Sequence, residues 1–284
     1  MTASGHRPVC VLGVGRSGTS LTARALNVLG VDLGPEETML QPDDVPPGAP
    51  DNPKGFWEQR EIVQLNQEVL GSLGAGYQEI SRRRVGWETA VELEPFRARI
   101  AELVERCFDG RRWGFKHPQT TLTLPLWRSV VGEFDHVVCV RNPLEVIASV
   151  GDGPAASRGD LIGIWTHFTC EALRLTAGRR RMFVFYEDWS TDPHAVGREL
   201  ARFVHGSPDA EAASRVASVF DPQLHRQCAG ELEFAERDDM PLAPRALHFL
   251  VRDLAAAERR GEARASALQA VAARMDGGPA QAAA

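Results

Sequence analysis

The residues best placed to do chemistry stand in one early run, Gly13-Val14-Gly15-Arg16-Ser17-Gly18-Thr19-Ser20. An apolar run, Val9-Cys10-Val11-Leu12, precedes it, and a helical pattern of Leu21, Ala25, Leu26 and Leu29 follows, with Gly30 as a stop. A strand, a glycine-rich turn and a helix in that order lay backbone N–H groups around an anion at the positive end of a helix dipole. Glycine lets the backbone approach that anion closely. The spacing from Gly13 to Gly18 is close to the Walker pattern, yet Thr19 stands where that pattern places a lysine. The cation is instead Arg16, inside the loop, beside Ser17 and Thr19 as hydroxyl donors. The expectation is a site for a nucleotide with a short 5′ chain, not for a magnesium triphosphate.

Other candidates lie where strand-like runs end. Arg141 follows such a run, at the edge where open α/β sheets bind ligands, and its guanidinium fork suits phosphate; Ser149 lies eight positions later. Lys116, in Trp113-Gly114-Phe115-Lys116-His117-Pro118, is one of two lysines among 32 basic residues, the other being Lys54. A lysine kept where arginine is the habit suggests a compact point charge. Glu58 and His117 are both candidates for a general base. Tyr186 closes the run Phe183-Val184-Phe185 and is one of two tyrosines.

Together these residues resemble the sulfotransferases that use 3′-phosphoadenosine 5′-phosphosulfate (PAPS), in their bacterial branch. Arg16-Ser17-Gly18-Thr19 is similar to the family's 5′-phosphosulfate loop, and Arg141 with Ser149 to its 3′-phosphate pair. Tyr186-Glu187-Asp188 resembles the strand-end Tyr-Glu-Asp of cytosolic members. The resemblance implies cofactor binding by Gly15, Arg16, Ser17, Gly18, Thr19, Ser20, Arg141, Ser149 and Tyr186. It also implies release of adenosine 3′,5′-bisphosphate with no metal required. Lys116 takes the place of the family lysine at the leaving phosphate. Glu58, in Gly55-Phe56-Trp57-Glu58, is similar to the glutamate base of bacterial and tyrosylprotein members, and His117 to the histidine base of cytosolic ones. Glu58 is preferred. The late Arg-Lys-Gly loop of cytosolic members has no counterpart; Arg226, in Leu224-His225-Arg226-Gln227, is a candidate to stand in, and its spacing does not single it out.

Those residues need a scaffold. Strands are expected at 9–12, 113–116, 136–140 and 182–185, and helices from 21, over 58–70, 94–108, 143–150 and 161–175, and after Asp192-Pro193. The alternation predicts an α/β fold: one P-loop-like domain with a central parallel sheet and helices on both faces. The core is placed at about 9–250, with a C-terminal helix and frayed tail over about 251–284. Residues 34–53 read as a long loop, a candidate lid with 54–57. The acceptor is expected against residues 34–57, 73–87 and 151–160, with Trp57, Trp87 and Trp165 as an apolar wall and His167 in the core.

Composition excludes other classes. With 43% apolar and 25% charged residues and a net charge of −6, the chain reads as globular and lacks the basic face of a nucleic-acid binder. No membrane-spanning run occurs in it, the short polar start at residues 1–8 is not expected to act as a secretory leader, and its five cysteines form no metal or disulfide pattern, so a reduced, cytoplasmic protein is expected. The partner is a small-molecule or saccharide acceptor, sulfonated on a hydroxyl or amine. A homodimer is compatible with the sequence. The competing readings are a small-molecule P-loop kinase, with Glu187 or Asp188 as a magnesium ligand, and a non-catalytic nucleotide binder.

Overall fold

The computed structural model describes residues 6–41, 44, 52, 54–74, 86–108, 111–151, 157–225, 229–238 and 240–275. Four strands, β1 (Val9–Leu12), β2 (Gly114–Lys116), β3 (Asp135–Val140) and β4 (Arg181–Phe185), form one sheet in the order β2-β1-β3-β4. Every pairing is parallel. Around them run α1 (Thr19–Val28), α2 (Arg60–Ser72), α3 (Glu94–Cys107), α4 (Thr120–Val131), α5 (Pro143–Val150) and α6 (Arg158–Thr176). The chain continues through α7 (Tyr186–Thr191), α8 (Pro193–His205), α9 (Ala210–Ala217), α10 (Glu231–Glu236), α11 (Leu242–Arg259) and α12 (Arg264–Ala272).

The strands are apolar on both faces, as a sheet covered on both sides requires. Successive side chains point to opposite faces, so Val9, Val11, Val137, Cys139 and Val184 join one core with Ala23 and Leu26 of α1, Leu200 and Val204 of α8 and Val216 of α9. Cys10, Leu12, Phe115, Val138, Val140 and Phe185 face the other core, built by α2, α3, α4, α6 and α11. Helices on both faces are therefore present as expected.

The caps follow their residues. Asn142 Oδ1 accepts the Leu144 N–H at 2.9 Å with Pro143 at the first helical position, and Asp192 Oδ1 accepts the Ala195 N–H at 2.8 Å. No helix of the described residues is long and apolar enough to cross a membrane.

Several expectations need correction. Residues 120–131 carry no helix in the sequence reading, yet α4 lies there with Pro125 inside it. An interior proline costs roughly 3 kcal/mol. Leu124, Leu126 and Trp127 are wholly buried on the same helix, and each such side chain returns roughly 1.5–3 kcal/mol. Glu58 does not start a helix: α2 begins at Arg60 after an extended Gln59, and the Glu58 carbonyl accepts the Leu40 N–H at 2.7 Å. Tyr186 opens α7 rather than ending β4. Residue 250 falls inside α11, whose Leu247, Val251 and Leu254 belong to the main core. The tail expected from 277 lies outside the described residues.

Candidate functional site

β1 lies between β2 and β3, so the connections leaving the sheet part on either side of it and open a crevice at its carboxyl end. The 13–20 loop fills that crevice. Gly13 has φ +138°, and a Cβ there would lie 2.5 Å from the Cys139 carbonyl oxygen. Its N–H donates to Thr121 Oγ1 at 3.1 Å, so α4 anchors the loop from below. Arg16 and Gly18 both take positive φ, 70° and 84°, and the Ser17 N–H between them donates to the Val14 carbonyl at 3.3 Å, closing a tight turn into α1. A Cβ on Gly18 would meet the Tyr186 ring at 2.6 Å. Ser17 is buried and donates to the Val14 carbonyl at 2.6 Å, so its hydroxyl holds the turn together.

Above the loop is a cavity of about 350 Å³. Arg16, Gly18, Thr19, Ser20, Arg141, Ser149 and Tyr186 line one side, bringing most of the expected cofactor residues together. Arg16 Nε donates to Ser149 Oγ at 2.9 Å, and Arg141 Nη1 donates to the Arg16 carbonyl at 3.1 Å. The Arg141 guanidinium lies 4.0 Å over the Tyr186 ring, and its Nε donates to Glu145 Oε2 at 2.8 Å. Trp165 donates from Nε1 to the Arg141 carbonyl at 2.9 Å, so both ends of this residue are held.

The far side of the cavity joins part of the 34–57 segment, expected around the acceptor, to Arg24 and residues 219–224, to which the sequence does not point. Arg24, Asn52, Lys54, Val219, Phe220, Asp221 and Leu224 line it with Trp57, and Lys54 pairs with Asp221 at 2.9 Å across it. His225 meets the Tyr186 ring edge-on at 5.1 Å, and the Ala229 N–H donates to Glu145 Oε1 at 2.9 Å. The late segment thus reaches the Arg141 site through Glu145. Arg226 lies outside the described residues. So do 75–85, 152–156 and most of 42–53, segments expected around the acceptor.

The three residues expected to carry the chemistry cluster behind Ser20. Lys116 Nζ donates to Ser20 Oγ at 3.0 Å and pairs with Glu58, both charges being buried. Burial pushes the Lys116 ammonium below its ordinary value while the Glu58 carboxylate pulls it back up. Asn52 Nδ2 also reaches Ser20 Oγ, at 3.3 Å. His117 sits in the same electrostatic field, but Asn66 on α2 is its hydrogen-bond partner. Burial pushes its imidazole down to about 4, so the ring is neutral at pH 7.

The tryptophan wall is not assembled. Trp57 reaches the cavity, with the Arg24 guanidinium 5.7 Å over its ring, whereas Trp165 is wholly buried and Trp87 packs on the main core. His167 is buried on α6. No cluster of three potential metal ligands occurs among the described residues. Arg252 pairs with Glu187 at 3.2 Å and Asp188 at 3.0 Å, and the Asn142 N–H donates to Glu187 as well.

No protein-family model matches the chain, and no curated protein matches it. Among solved structures, the sulfotransferase STF9 from Mycobacterium avium is similar over 78% of this chain and 69% of its own, at 13% identity and a TM-score of 0.43. A similarity that loose does not bear on function.

Proposed function

We propose that the chain is a PAPS-dependent sulfotransferase, moving a sulfuryl group to a hydroxyl or amine of a small-molecule or saccharide acceptor in the cytoplasm. The observation that carries this reading is the Arg16–Ser149 hydrogen bond, which joins an anion-binding loop to a second basic site 133 residues away on one cavity. Two separate phosphate sites suit a nucleotide phosphorylated at two positions. A triphosphate chain would call for a lysine at Thr19. The cradle fits such a ligand: Gly18 lets the Tyr186 ring pack against the loop, Arg141 brings its guanidinium to the cavity over that ring, and Trp57, Phe220 and Leu224 give the opposite end an apolar surface for a base.

When bound, PAPS supplies the activated sulfuryl group. Arg16, Arg141 and Ser149 orient it, and positioning with charge stabilisation carries most of such a transfer. Glu58 takes the acceptor's proton, and Lys116 supplies the cation that offsets charge on the leaving side. The buried pairing of these two supports the division of labour, since the lysine holds Glu58 beside the loop. Arg252 pairs with Glu187 and Asp188, which counts against their use as magnesium ligands in the kinase reading.

Calorimetric titration with adenosine 3′,5′-bisphosphate, beside ATP with magnesium and ADP, tests the reading. The bisphosphate is expected to bind at micromolar Kd or tighter. Arg141→Ala is expected to weaken it roughly 10²-fold, as loss of charged hydrogen bonds does. Tighter binding of ATP with magnesium overturns the proposal.

A further inference from the structure

Asn66 is wholly buried on α2, and its amide makes four hydrogen bonds. Its Oδ1 accepts from Trp127 Nε1 at 2.8 Å and Thr123 Oγ1 at 2.6 Å. Its Nδ2 donates to Thr120 Oγ1 at 2.9 Å and faces His117 Nδ1 at 3.0 Å. An indole nitrogen only donates, so the amide oxygen must face Trp127 and the amide nitrogen must face His117. That nitrogen also only donates. His117 Nδ1 therefore accepts and carries no proton, and the neutral ring keeps its hydrogen on Nε2.

This relay bears on who can act as a base. A base needs a lone pair turned towards the acceptor. The Nδ1 pair is occupied by Asn66, and Nε2 holds a hydrogen for which no partner occurs among the described residues. Glu58 and Lys116 are the charged groups that face the ring, and Glu58 is an ionisable carboxylate close at hand. We propose that His117 is a fixed hydrogen-bond donor, its Nε2–H holding an oxygen of the transferring sulfuryl group, while Glu58 alone takes the acceptor's proton. The choice of substrate oxygen rests on the sulfotransferase reading; the tautomer rests on Trp127 and Asn66.

Nitrogen-15 NMR of the full chain labelled at histidine reads the tautomer directly, with the His117 signal assigned by its loss in His117→Gln. The expected signal is a neutral ring protonated at Nε2 and unchanged from pH 6 to pH 8. Asn66→Asp puts an acceptor opposite Nδ1 and is expected to move the proton there and raise the ring's pKa. A wild-type ring protonated at Nδ1, or one titrating near neutrality, overturns the proposal. The kinetic arm separates donor from base. His117→Ala is expected to lower kcat by roughly 10²-fold, the usual loss for one oxyanion donor. His117→Gln keeps an N–H near the Nε2 position and is expected to restore most of it. Equal losses in the two variants overturn the donor role. If the Nε2 tautomer holds and no sulfuryl transfer occurs, the functional reading and the substrate oxygen fall together. An Nδ1 tautomer in an active enzyme removes this proposal alone.

Discussion

Both edges of the sheet bury charge, yet the cavity lies at one of them. At the amino edge Asp135 opens β3 and pairs with Arg112 at 2.7 Å and with Arg180. Those guanidiniums also donate to the Val204 and Phe203 carbonyls near the end of α8, and Arg180 lies 4.2 Å over the Phe203 ring. The long side chains are spent on the protein's own carbonyls and stitch strand ends to a helix. At the carboxyl edge the pairs are Lys116 with Glu58 and Arg141 with Glu145. There the same ingredients flank a turn with positive φ and an open volume. Buried ion pairs therefore do not mark a candidate site by themselves; pairs beside an open cavity do.

The sharpest way to break this comparison is to remove one charge at each edge. Lys116→Ala is expected to cut sulfuryl transfer by at least roughly 10²-fold, measured as kcat, while bisphosphate binding survives. Full turnover would take Lys116 out of the mechanism, and binding without any turnover in the wild type would favour a non-catalytic nucleotide binder. Asp135→Asn is expected to do the opposite. It leaves Arg112 short of its counter-charge and costs roughly 3 kcal/mol in denaturant unfolding, with the bisphosphate Kd unchanged. A shifted Kd would tie the amino edge to the site.

Acid treats the two edges alike. Burial pushes both His117, at the carboxyl edge, and His136, at the amino edge, down to about 4. Their folded values lie below the unfolded 6.5, so the unfolded chain binds the extra proton and stability falls as pH drops through that window. Each ring is expected to remove about 2 kcal/mol between pH 7 and pH 5. His136→Gln and His117→Gln should each flatten the fall of Tm with acidification, with His248, pushed to about 3, keeping part of it. A fall left unchanged by either variant contradicts the buried neutral state.

Much of the fold was legible because its signals are local. Val9–Leu12, Asp135–Val140 and the Asn142-Pro143 cap declare themselves within a few residues. The same holds for the 13–20 turn, whose glycines and hydroxyls lie in one stretch. What was not legible depends on distant partners. Pro125 hid α4, since its helix is held by the packing of Trp127 and not by propensity. Asn66 gives no signal in a helix sequence; its meaning comes from Trp127, Thr120 and His117. Val219 to Leu224 carry no local signal of a site, and only the fold brings Phe220 and Asp221 to the cavity opposite Arg16. Trp165 was read as acceptor wall from its type alone, and its burial beneath Arg141 corrects that.

The strand order carries a kinetic consequence. β1 pairs Val9 with Gly114 on one side and with Asp135 on the other, so the central strand waits for partners more than a hundred residues downstream. Closing loops of that length before any pairing is rewarded slows folding, and parallel sheets are slow for this reason. During synthesis β1 thus stays unpaired until β2 and then β3 have been made. The 13–20 turn has no floor until Thr121 arrives and no far wall until Cys139 does. The part of the chain that reads most plainly as a binding loop acquires its shape only once residues more than a hundred positions downstream have been made.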